Sequence, residues 1–199
     1  VIVHVGPKGF QKVGHICFAY DDIVYSYGNY DSDSFHLNQT IGDGIFFTVP
    51  LEKYIPNMIS AENNSIFEYG IYTTSKQNAL IEKEIEKIRQ NGYRWYTKIE
   101  KEDGYDRFSE YEMDYPSRLH YRTGAKLYKV KSGKFHIYWA LGDNCASFTD
   151  LVLGTLGADV LSIRGIISPG TYLDWLQKEY LKKNSPIVFR RIYKEWDSE

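Results

Sequence analysis

The sequence predicts an α+β fold, and three observations predict it. Short runs of alternating apolar and polar residues recur along the chain, closed by Gly, Pro or Asp-Asp turns. Apolar residues at helical spacing follow Ser75, Cys145 and Thr171. The chain also carries 18 Tyr, 10 Phe and 4 Trp, residue types that favour half-buried strands. With 199 residues, 43% hydrophobic and 25% charged, the expectation is one globular domain over 1–199, long enough to bury a core.

Taken in order, residues 1–5 read as a strand, Gly6-Pro7-Lys8-Gly9 as a turn and residues 12–20 as a second strand. In that strand His15, Cys17 and Ala19 share one face, and Ile16, Phe18 and Tyr20 the other. Asp21-Asp22 makes a tight turn into a strand over 23–27, ended by Gly28 and Asn29. Residues 31–44 are polar and read as a loop; 45–49 form a strand stopped by Pro50. A short helical turn covers 51–59, and 65–73 is a strand.

Ser75 opens the clearest helix, with Leu80, Ile81, Ile85 and Ile88 on its stripe and Asn91-Gly92 as its stop. Its Glu and Lys residues between 82 and 87 read as a solvated face. The polar, tyrosine-rich stretch 98–124 reads as a surface insertion. Residues 125–130 and 135–141 read as the arms of a hairpin around Lys131-Ser132-Gly133-Lys134. Further on, 163–167 is an extended run, 171–182 a helix and 186–193 a closing strand.

Composition removes several function classes. A net charge of -2 predicts no nucleic-acid footprint. Two cysteines, Cys17 and Cys145, do not make the disulfide framework of a small secreted domain. No run reaches the ~18 apolar residues of a transmembrane segment. The chain opens at Val1 in strand-like sequence, which reads as a domain cut from a longer polypeptide. No cofactor signature is present: Gly6-Pro7-Lys8-Gly9 lacks the P-loop pattern, no GxGxxG precedes a helix, and His15 with Cys17 is poor zinc spacing.

One stretch points to chemistry. In Gly142-Asp143-Asn144-Cys145-Ala146-Ser147-Phe148 a polar turn delivers a cysteine onto the first turn of a buried helix, with Asp143 or Asn144 as cap and Gly154 or Gly157 as stop. Free N–H groups and the helix dipole favour a thiolate there, so Cys145 reads either as a nucleophile or as a small packing residue. A cysteine hydrolase also needs a base. Of His4, His15, His36, His120 and His136, His15 is the candidate, because it follows a glycine inside a strand and shares a face with small residues.

Read together, Gly14-His15-Ile16-Cys17-Phe18-Ala19-Tyr20, the hairpin partner 23–28 and Asp143-Asn144-Cys145-Ala146-Ser147-Phe148 resemble the circularly permuted papain-fold cysteine hydrolases. These include NlpC-like cell-wall peptidases, lecithin:retinol acyltransferase-like lipid enzymes and desumoylating peptidases; their histidine strand precedes the cysteine helix. The resemblance implies a curled antiparallel sheet packed on the helix bearing the nucleophile, with Cys145 as nucleophile and His15 as base. A third polar group usually orients the histidine. In the lipid enzymes it is a second histidine on the next strand, where this chain has Tyr27.

On that likeness the expected function is cysteine-dependent amide hydrolysis, with a cell-wall peptide as substrate. The expected setting is a toxic domain of a bacterial effector delivered to the periplasm, countered by a cognate immunity protein. The alternatives are an acyltransferase or phospholipase using the same Cys-His dyad on lipid esters, and an inactive papain-like binding module.

Overall fold

In this computed structural model, residues 1–5, 14–102, 104, 105, 109, 110, 112–156 and 168–194 are described. Their period-two runs form β1 (Ile2–Val5), β2 (His15–Tyr20), β3 (Ile23–Gly28), β4 (Ile41–Asp43) and β5 (Ile45–Pro50). Further along the chain come β6 (Ser65–Ile71), β7 (Gly92–Trp95), β8 (Lys126–Val130), β9 (Ile137–Trp139) and β10 (Ile187–Tyr193). Eight of them make one antiparallel sheet in the order β10-β6-β1-β2-β3-β5-β8-β7, and β4 pairs with β9 beside it. The two end strands are not neighbours, so the sheet is open and not a barrel.

Helices α1 (Leu51–Ser60), α2 (Ser75–Gln90), α3 (Lys98–Lys101), α4 (Tyr115–Thr123), α5 (Cys145–Leu153) and α6 (Pro169–Tyr180) complete the α+β fold. Strand alternation decides which face each helix covers. Cys17, Val24, Ile45, Phe47 and Leu127 point to one face and pack with Tyr54 and Met58 of α1 and Leu119 of α4. Phe18, Tyr27 and Phe46 point to the other, against Ile81 and Ile85 of α2 and Phe148 and Val152 of α5. Beside them Val3, Ile16 and Tyr69 meet Cys145 of α5 and Tyr172 and Leu176 of α6.

The structure differs from the sequence reading in four places. Strand β8 pairs with β5 and β7, so both its edges are used, and residues 135–141 turn away to pair β9 with β4 instead of closing a hairpin. The supposed loop 31–44 therefore holds a strand, and the stop after α2 runs straight into β7. Within 98–124, α4 is integral to the body: Leu119, Ser117 and Thr123 are buried. Its Asp114 cap and Gly124 stop are the ordinary signals of a packed helix. The run 163–167 and the stop at Gly157 lie outside the described residues.

Two close approaches need glycine. Gly14, just before His15, has φ of +78°, and a Cβ there would lie 2.7 Å from the His4 carbonyl oxygen. A Cβ on Gly44 would lie 1.8 Å from the Phe135 carbonyl oxygen. That contact seats the loop after β8, so that Phe135 is buried and its carbonyl accepts the Tyr27 hydroxyl at 3.0 Å.

Candidate active site

The site begins where strands part. Strand β2 pairs with β1 through residues 15–17 and with β3 through residues 18–20. At its parted end the backbone of Ile16 turns to α5: its carbonyl accepts from Thr149 Oγ1 at 3.4 Å. Cys145 packs in the same core cluster as Ile16, the residue after His15.

Asn144 fixes the helix start. Its Oδ1 accepts from the Ala146 and Ser147 N–H groups at 2.9 and 3.0 Å, while Ser147 Oγ accepts from the Asn144 N–H, closing a capping box. Its Nδ2 donates to the Ala140 carbonyl at 3.0 Å, tying the cap to the end of β9. Cys145 is thus the first residue of a capped helix and is almost fully buried. Burial pushes its thiol up to about 11, against the lowering effect of the N–H groups of Ile16, Ala146 and Cys145 itself. The resting group is a protonated thiol.

His15 projects to the α1/α4 side of the same strand. Its Nε2 lies 2.6 Å from Ser26 Oγ on β3, and Ser26 Oγ lies 3.2 Å from the Tyr30 hydroxyl. Tyr30 is held by rings on either side, Phe47 at 5.4 Å and Tyr115 at 5.8 Å between centroids. Burial lowers the His15 imidazole to about 4, so it is neutral at neutral pH. Among the hydrogen bonds of the described residues none joins this ring to the Cys145 thiol. The ring nitrogen opposite Ser26 carries no hydrogen bond to a described residue.

A second imidazole packs beside the first. The rings of His4 and His15 meet edge to face with centroids 5.4 Å apart. His4 Nε2 is 3.2 Å from the Tyr54 hydroxyl and 3.9 Å from Cys17 Sγ. Burial, and then the neighbouring His15, holds His4 well below the usual imidazole range. Cys17 is pushed up to about 12 by burial.

Tyr27 lies on the opposite sheet face from His15, stacked on Phe148 at 5.0 Å with its hydroxyl on Phe135. The neighbour that reaches the imidazole is Ser26. Strand parity carries that signal: a two-residue turn with Tyr20 opposite Ile23 puts Ser26, not Tyr27, on the His15 face. Tyr30 and Tyr138 have no comparable signal, since loop closure and the β4–β9 pairing bring them in.

A cavity of about 780 Å³ is lined by Cys145 together with Gly14, Tyr30, Tyr138 and Trp139, among others. Burial raises the Tyr138 phenol, and a charge on Cys145 would hold its proton more firmly still. Among the described residues no group of three His, Cys, Asp or Glu side chains is placed to hold a metal ion. No described helix is long and apolar enough to cross a membrane. Comparison of the chain with protein-family models, with curated proteins and with solved structures finds no match.

Proposed function

We propose that the protein is a cysteine-dependent amide hydrolase of the permuted papain-like kind, with Cys145 as nucleophile and His15 as general base. One observation supports the reading: a thiol on the first turn of a capped helix packs against Ile16, the residue that follows His15, while the His15 ring is oriented by Ser26. Since Nε2 is engaged by Ser26, the other ring nitrogen is the one assigned to the thiol proton. Neither group is charged at rest, so the proton moves as the sulfur attacks.

In this scheme Sγ bonds the carbonyl carbon and His15 takes the thiol proton. His15 then gives that proton to the leaving amine as the C–N bond breaks. Water, deprotonated by His15, releases the acid and restores the thiol. The N–H of Cys145 and the Tyr138 hydroxyl are the assigned donors to the oxyanion. Through the likeness drawn from the sequence, trial substrates begin with cell-wall peptide amides, and a periplasmic toxin with an immunity protein is the matching biological setting.

Cys145→Ala and His15→Ala are each expected to lower turnover by about 10³-fold or more, and Tyr138→Phe by about 10²-fold. The measurement is steady-state hydrolysis of amide substrates alongside intact-mass detection of an acyl adduct on Cys145. Full turnover in both single-site alanine variants would overturn the reading and favour a binding module.

A further inference from the structure

Cys145 is only 4% exposed, so neither a substrate nor a small reagent reaches its sulfur along a line of attack unless something moves. The fold has a part set apart for that. Neither β4 nor β9 belongs to the eight-stranded sheet; they pair with each other and stand beside it as an arm. Both sides of the arm line the same cavity as Cys145: Asn38, Gln39 and Thr40 just before β4, and Tyr138, Trp139 and Leu141 in and after β9.

The arm is bound together as one piece. Ser34 Oγ accepts the Asp43 N–H at 2.9 Å and donates to the Asp31 carbonyl at 2.8 Å, and the Ala140 N–H donates to the Thr40 carbonyl at 2.9 Å. Its base is pinned where the Gly44 N–H donates to the His136 carbonyl at 2.9 Å and the Gly44 carbonyl accepts the Val130 N–H at 3.0 Å. At the other end β9 reaches the cysteine turn, with the Trp139 N–H on the Asp143 carbonyl at 3.0 Å. A tilt about the base therefore moves Tyr138 and Trp139 relative to the thiol.

Charge fastens the arm to the sheet through one side chain. Lys129 of β8 places Nζ 2.7 Å from Asp31 Oδ2 and 2.6 Å from Asp43 Oδ2, one acid near each end of the segment. The Lys129 and Asp31 side chains are 17% and 14% exposed, so salt and water screen the pairing weakly. Parting them strands charges with little water, which favours the shut position. Among the described residues no other ion pair joins the arm to the sheet.

We propose that the β4–β9 arm is a lid on Cys145 and that Lys129, held between Asp31 and Asp43, is the latch that keeps it shut. The latch sets how often the sulfur is reached, whichever reaction the sulfur serves. The lid therefore goes beyond the hydrolase reading, and it is measured without turnover.

The chain carries its own reference, since Cys17 is fully buried in the sheet core and is reached by general unfolding. Iodoacetamide labelling of both cysteines is followed on the full chain by peptide mass spectrometry, at fixed pH and in rising urea. In the unmodified protein Cys145 is expected to label at least about tenfold faster than Cys17, with a shallower urea dependence, because a tilting arm exposes little surface. Lys129→Met is expected to speed Cys145 by about tenfold and leave Cys17 unchanged, while Lys129→Arg stays within about threefold of the unmodified rate. Loss of a cation by itself disfavours the thiolate and slows alkylation, so the acceleration reads access. Equal labelling of the two cysteines at every urea concentration would overturn the lid, and an unchanged Cys145 rate in Lys129→Met would overturn the latch. If Lys129→Met speeds both cysteines alike, it loosens the whole chain, and the triple variant Lys129→Met, Asp31→Asn, Asp43→Asn, which strands no charge, decides. Faster Cys145 with Cys17 unchanged in that variant supports the latch, and any other result overturns it.

Discussion

The His15 imidazole is held at one nitrogen by a hydroxyl that is itself held by a phenol, and each link has a distinct cost. Ser26 is fully buried. Removing its oxygen leaves His15 Nε2 without its partner and the Tyr30 hydroxyl without its acceptor or donor. Under the proposed hydrolase reading Ser26 positions the imidazole, so Ser26→Ala is expected to lower kcat by about tenfold with KM nearly unchanged. A fall confined to KM would place Ser26 in substrate binding instead. At this scale the sequence was legible for Cys145 and His15, whose neighbours along the chain announce a helix start and a strand start. Tyr27 stands where the lipid enzymes have their second histidine, but the pleat sends its side chain to the other face. Counting pairs back from the Asp21-Asp22 turn would have selected Ser26.

Among the elements, α5 has the most to do, because it must present a cysteine at its first residue and a packed face one turn later. The two duties are separable. Asn144→Ala removes the cap, and denaturation is expected to report a loss of about 1 kcal/mol. Asn144→Asp keeps an oxygen for the Ala146 and Ser147 N–H groups but loses the tether to Ala140, and it sets a carboxylate beside the thiol. That charge disfavours thiolate formation, so alkylation of Cys145 by iodoacetamide at fixed pH is expected to slow. Unchanged alkylation would show that the residue before Cys145 has no electrostatic hold on it. The periodic elements were legible wherever apolar spacing is unbroken, as in α2 and α5. What escaped was pairing. The runs 125–130 and 135–141 look like hairpin arms, yet β8 is taken on both sides by β5 and β7, partners remote in sequence. Four-residue β7 was hidden by Asn91-Gly92, which stops a helix and starts a strand within two residues.

On the scale of the whole molecule, the edge-to-face imidazoles give stability a pH dependence of definite sign. In the unfolded chain both titrate near 6.5, whereas in the fold burial lowers His15 to about 4 and holds His4 well below its ordinary value. Between those values the unfolded chain binds more protons, so stability is fully present above about pH 6.5 and drains away as pH falls toward 4. For His15 alone the difference amounts to about 3 kcal/mol. The urea midpoint is expected to drop between pH 7 and pH 4.5, and to drop less in His4→Gln. A midpoint that rises on acidification would mean that the pair is stabilised when charged. The α+β class was readable from composition and period alone. The layering was not, since which helix covers which face depends on a strand order that no local signal carries.

The parting of β2 from β3 has one more consequence. Cys145 is located by main-chain anchors: the Ile16 carbonyl that accepts from Thr149, and a capped helix end. Such a seat is written in the path of the backbone, so most side chains around it can drift while the sulfur keeps its place. A protein built this way can hold a demanding constellation of atoms with very little sequence to mark it, here a Gly-His at one end of the chain and an Asn-Cys toward the other.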